Sequence, residues 1–231
     1  MSAHRLGGML PLALVLALLI GCGGKTPNGG DEATGKDGSK GPKKAVTPEL
    51  AVENMLAASK AGDLKGVLAQ LAEGPRRVAE AVIDNHEAKS SFETALNYKV
   101  GFAPRKGPAE PDPKDVLLSV VRMEILKKDD AGSGKVKMSV KSTKVLDGKK
   151  ETKTIELGAV KEGDVWKLVP ADMPADTKQI AALLGQIAKV TAAYRKVTKE
   201  IADGKLKNRD EANKALAEAN KGLAEELKGA K

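Results

Sequence analysis

The chain has 231 residues, a formal net charge of +8 and a pI near 9.4; 41% of it is hydrophobic but only 2% aromatic. That length suits one ordinary domain with an appendage, built on a core of Ala, Val, Leu and Ile. A single cysteine excludes an internal disulfide and any Cys-x-x-Cys zinc or thiol-exchange motif, and two Phe, two Tyr and one Trp leave too few stacking groups for a nucleic-acid surface.

The first residues have the parts of an export signal. Arg5 supplies positive charge. Met9 to Ile20 is apolar apart from Pro11, and small residues follow at Gly21, Gly23 and Gly24. About 12 apolar residues fall short of the ~20 that a spanning helix needs, so a transmembrane anchor is not expected. The run ends Leu19-Ile20-Gly21-Cys22. This resembles the lipobox of bacterial lipoproteins: a branched apolar residue, a tolerant position, a small residue and a cysteine. The resemblance implies cleavage between Gly21 and Cys22, a diacylglyceryl group on the Cys22 thiol and a further acyl chain on its new amino group. Several chains anchor firmly where one binds only marginally. In lipoproteins of two-membrane envelopes, an aspartate after the cysteine favours inner-membrane retention. Gly23 stands there, so the resemblance implies a lipid-anchored place in the cell envelope, at the outer membrane if the host has one.

Residues 22–46 are read as the lipidated cysteine and a flexible tether. Gly, Lys, Pro, Ser, Thr and Asp dominate, and such a segment cannot bury enough surface to offset its ordering entropy. Thr47-Pro48 predicts a helix start, with Thr as N-cap and Pro at the first helical position. Val52, Met55, Leu56 and Ser59 make an inward stripe. Gly62 stops this helix and Asp63 caps the next, which carries Leu64, Val67, Leu68 and Leu71. Gly74-Pro75 reads as a break before a third helix over about Arg76 to Tyr98. Pro104, Pro108, Pro111 and Pro113 mark a loop.

Alternation then replaces helical spacing. Val116 to Leu126 reads as a strand. Val136, Met138 and Val140 alternate with Lys137, Ser139 and Lys141. Asp147-Gly148 predicts a hairpin, Thr152 to Ala159 the return strand, and Val165 to Val169 the last strand, with Trp166 and Leu168 on one buried face. The expected fold class is α+β: N-terminal helices packed on an antiparallel curved sheet of about four strands, followed by a C-terminal helical hairpin. Ala61-Gly62-Asp63-Leu64 and the ending Gly163-Asp164-Val165-Trp166-Lys167-Leu168 resemble the cone-shaped nuclear-transport-factor-2-like superfamily. The resemblance covers Thr47 to Asp172.

From Pro174 the pattern changes again. Ile180, Ile187, Tyr194 and Ile201 are spaced by seven, and Leu183, Val190 and Val197 follow three residues after the first three of them. Gly204 ends that helix. Asn208-Arg209-Asp210-Glu211 outlines a capping box for a second, with Ala212, Leu216, Ala219, Leu223 and Leu227. The expected domains are a signal peptide over 1–21, the lipidated tether over 22–46, the cone-like domain over 47–172 and a helical hairpin over 173–231, which docks on its own domain or serves as an arm for a partner.

Catalytic groups are sparse. The only histidine after the signal is His86, and Asp84 and Glu87 beside it point elsewhere on a helix. There is no second His or Cys for zinc, no Gly-x-Ser-x-Gly elbow and no phosphate-cradling Gly-x-x-x-x-Gly-Lys-Ser/Thr. No cofactor and no metal are expected. The expected role is a non-catalytic binding or interaction domain on a membrane-tethered envelope lipoprotein. Its partners are membrane lipid through acylated Cys22 and an envelope protein or anionic polymer, with no nucleic acid. The alternative is an enzyme acting on a small molecule inside the cone, with His86 as acid or base.

Overall fold

Thr47 opens the first helix as the sequence predicts: its Oγ1 accepts the Leu50 N–H at 3.2 Å, and Pro48 fills the first helical position. A computed structural model describes residues 44–101, 110–171, 173–174 and 176–221. The described residues fold as α+β, with helices before and after a four-stranded antiparallel sheet. In chain order the elements are α1 (Pro48–Lys60), α2 (Leu64–Gln70), α3 (Glu73–Ala95), a π-helical turn (Leu96–Val100) and α4 (Pro113–Leu118). Strands β1 (Val120–Gly132), β2 (Lys135–Leu146), β3 (Lys149–Glu162) and β4 (Val165–Pro170) follow, then α5 (Thr177–Ala202) and α6 (Arg209–Ala219).

The chain divides into two compact units. The sheet unit comprises residues 44–76 and Lys114–Met173; the helical unit comprises Arg77–Pro113 and the chain from Pro174 on. One boundary, after Met173, lies next to the joint expected after residue 172. Arg77–Pro113, expected to belong with the sheet, groups with the C-terminal helices, and α3 carries the chain from the first unit into the second.

In the sheet unit, α1 ends in two bonds that satisfy its last carbonyls. Gly62, at φ +69°, donates to the Ser59 carbonyl at 3.0 Å, and Asp63 donates to that of Ala58 at 2.9 Å. Asp63 then caps α2 by accepting the Gly66 N–H at 2.9 Å. Gly74-Pro75 does not break the chain. It lies in the first turn of α3, where backbone N–H groups have no helical partner and a proline removes nothing that is used. The first of those N–H groups, that of Glu73, donates to the Glu162 carboxylate at 3.1 Å.

The sheet is a meander in the order β1-β2-β3-β4. Asp147 and Gly148 both take positive φ, +50° and +72°, the two-residue turn whose twist matches a hairpin. Val136, Met138, Val140, Leu157, Ala159 and Leu168 are buried. The run Val116 to Leu126 is not one strand: Pro113 starts a short helix that buries Val116 and Leu117, and β1 begins at Val120. A short apolar run fits either element, and periodicity alone does not separate them. Strand β1 continues to Gly132, through Lys127, Lys128, Asp129 and Asp130, so this edge of the sheet is charged and resists pairing with other chains. Lys128 donates to Glu49 of α1, and that bond holds the Glu49 carboxyl below its usual range.

The other edge is covered by the chain itself. The Trp166 N–H donates to the Ala45 carbonyl at 2.8 Å and the Ala72 N–H to the Leu168 carbonyl at 2.9 Å. Ala45 is buried and Lys44 pairs with Asp164 at 3.4 Å, so the last residues of the expected tether, 44–46, lie against the β4 edge. Trp166, expected to be buried, is half-buried at the hairpin end, and Leu168 is the residue that fills the core.

In the helical unit, Phe92 and Leu96 of the α3 end meet Val197 and Ile201 of α5 and Ala212 of α6 in one buried cluster. Of the seven-residue stripe, Ile187, Val197 and Ile201 are buried, while Ile180, Leu183, Val190 and Tyr194 are half-buried. Gly204 at φ +71° closes α5, with Lys205 donating to the Glu200 carbonyl at 3.0 Å. Asn208 Oδ1 accepts the Glu211 N–H at 2.9 Å, while the Glu211 carboxylate takes the Lys207 N–H at 2.8 Å. Leu223 and Leu227 lie outside the described residues.

Candidate functional site

Gly21 and Cys22, the expected cleavage and lipidation positions, lie outside the described residues, as does the tether up to residue 43. The described candidates divide into two polar groups, one in each unit.

The first surrounds His86. Positions three apart on a helix share a face, and His86 and Lys89 both turn to the segment just before α4. His86 Nε2 lies 4.0 Å from Asp112 Oδ2, and Lys89 pairs with Glu110. Asp84 pairs instead with Arg195 of α5, as expected for a residue two positions from His86. A separation of 4.0 Å exceeds a hydrogen bond, so Asp112 does not fix the imidazole tautomer as the orienting acid of a catalytic pair does. Tyr194 is half-buried nearby, its ring 5.6 Å from that of Phe92. Burial pushes its phenol above the usual tyrosine range, with Lys89 opposing and Glu110 reinforcing. The Lys89–Glu110 pair ties that segment to α3, with His86 and Asp112 beside it. Among the described residues no three His, Cys, Asp or Glu side chains gather as a metal site.

The second group lies at the far end of the inward face of β2. The alternation Val136, Met138, Val140 continues through Ser142 to Lys144. Ser142 is buried, and its hydroxyl has no hydrogen-bond partner among the described residues. Lys144 is half-buried opposite Glu151, which itself receives Lys153 at 2.7 Å. Burial pushes the Lys144 ammonium below the usual lysine range, with Glu151 opposing and Lys153 adding to the effect. Nothing in the local sequence pattern announces this pair beyond the even spacing from Val136, which puts a lysine at an inward position.

The Lys144 shift sets a pH dependence. Between its lowered value and 10.5 the unfolded chain binds more protons than the folded one, so stability rises with pH across that window. Lys144→Met removes the group. The melting temperature of the variant minus that of the wild type is expected to fall as pH rises from about 8 to about 10.5. A difference that stays flat over that range contradicts the burial of the charge.

Compared with known families, characterised proteins and solved structures, the chain matches none. Among the described residues no helix is long and apolar enough to cross a membrane.

Proposed function

We propose that this is an envelope lipoprotein, cut before Cys22 and held to a membrane by acyl chains on that residue, whose folded part binds a partner without turning over a substrate. One observation carries the reading: Leu19-Ile20-Gly21-Cys22 closes an apolar run of signal-peptide length, and Cys22 is the only cysteine in the chain. The lone thiol stands where lipidation uses it. Gly23 adds the expectation of the outer membrane where the host has one. The non-catalytic part of the reading is supported by the neighbours of His86, which are paired charges rather than an oriented acid and a nucleophile.

Fractionation tests the attachment. Wild-type protein is expected in membranes washed with high salt and alkaline carbonate. Cys22→Ala is expected to appear as the uncut precursor or in the soluble fraction. Equal retention of a processed Cys22→Ala protein in washed membranes rules the reading out.

A further inference from the structure

The two ends of the sheet differ. At one end the chain enters at Lys44, beside Asp164 in the β3–β4 turn. The β2–β3 turn at Asp147-Gly148 lies at the other, separated by the 12 residues of β2, roughly 40 Å at 3.3 Å per residue. That far end carries exposed Lys149 and Lys150, with exposed Lys141 further back along β2. It also leaves apolar surface in water: Val145 is 40% exposed, Val121 at the start of β1 is 37% exposed, and Leu146 is half-buried. The hairpin stands clear of strand neighbours on one side, since β4 pairs only with Leu157 to Glu162 of β3.

We propose that this β2–β3 hairpin end docks on an anionic lipid surface, its lysines on the headgroup phosphates and Val145 and Leu146 at the acyl boundary. The combination decides the occupant. A hydrophilic polyanion would satisfy the lysines and leave the valines in water. A headgroup layer takes both, because lysine stems run along apolar surface while their ammonium groups reach the phosphates. Of the acids around these residues, Glu151 pairs with Lys153 and Glu124, opposite Lys141, pairs with Arg122, which leaves Asp147 at the turn itself. The inference rests on the envelope reading for the presence of a membrane, but the contact is made by this hairpin and not by Cys22.

A fluorescent reporter at the tip tests it. Full-length Cys22→Ser/Val145→Cys protein, whose one thiol is at the tip, carries an environment-sensitive nitrobenzoxadiazole label and is mixed with vesicles of phosphatidylcholine alone or with about one-third phosphatidylglycerol. The emission is expected to shift to the blue with the anionic vesicles only, and Lys149→Glu/Lys150→Glu is expected to abolish the shift. High salt is expected to weaken it. Emission that stays at its aqueous position with anionic vesicles overturns the proposal. So does an equal shift on phosphatidylcholine, or a shift with soluble polyphosphate but not with lipid. Flotation of unlabelled wild type and Cys22→Ala on phosphatidylcholine vesicles reads the anchor by itself, so failure of the anchor and failure of the tip are told apart.

Discussion

Leu168→Ala is expected to destabilise the sheet unit by about 2–5 kcal/mol, the range for truncating a fully buried leucine. The side chain has no exposed surface and stands on β4 opposite Ala159, whose methyl cannot fill the space left behind. The backbone cannot close over the cavity either. Strand β4 is held by β3 on one side, and its Leu168 carbonyl is held by the Ala72 N–H on the other. Urea unfolding should show a lower midpoint with an unchanged slope, since the surface exposed on unfolding is the same. Leu126, 53% exposed on β1, supplies the control: its truncation should cost less than about 0.5 kcal/mol. Similar costs for the two variants would contradict the placement of the core.

In the helical unit the corresponding result concerns Asn85, which is 1% exposed. Its Nδ2 donates to Thr191 Oγ1 at 3.0 Å, and Thr191 Oγ1 donates in turn to the Ile187 carbonyl at 2.8 Å. The Asn85 Oδ1 has no partner among the described residues. Asn85→Asp replaces the donor by a second acceptor and buries a charge against the lone pairs of Thr191. We expect a loss of roughly 3 kcal/mol or more, as for an uncompensated buried charge. Asn85→Leu removes one hydrogen bond together with the unpaired oxygen and leaves the Thr191 hydroxyl donating to the Ile187 carbonyl. A change within about 1 kcal/mol is expected, because removing an unsatisfied polar atom offsets the lost bond. Thermal unfolding that ranks leucine below aspartate would show that Asn85 meets water.

The features legible in the sequence are those set by near neighbours. Thr47, Asp63 and Asn208 act as N-caps because a side-chain oxygen needs only an N–H two or three residues on. Gly62 and Gly204 end helices because they alone adopt positive φ there without strain, and Asp147-Gly148 makes the hairpin for the same reason. The inward residues of β2 follow from a period of two. What was not legible depends on partners far along the chain. Asn85 and Thr191 are 106 positions apart, and no local pattern announces that α3 from Arg77 on groups with α5 and α6. Asp112, the neighbour of His86, comes from a proline-rich stretch whose direction no periodicity defines. The short helix from Pro113 takes in Val116 to Leu118, the first residues of an apolar run that reads equally well as strand. The proposed lipidation motif rests on four adjacent residues, Leu19 to Cys22, and draws nothing from the fold.

The proposed lipid on Cys22 is tested most directly by metabolic labelling with an alkyne analogue of palmitate in cells that express wild-type or Cys22→Ala protein. Wild type is expected to carry the label on a single thiol-bearing residue and to migrate as the form cut after Gly21. The variant is expected to carry none. Equal label on the two proteins, or an unlabelled wild type with its signal intact, would contradict the lipid-anchored account.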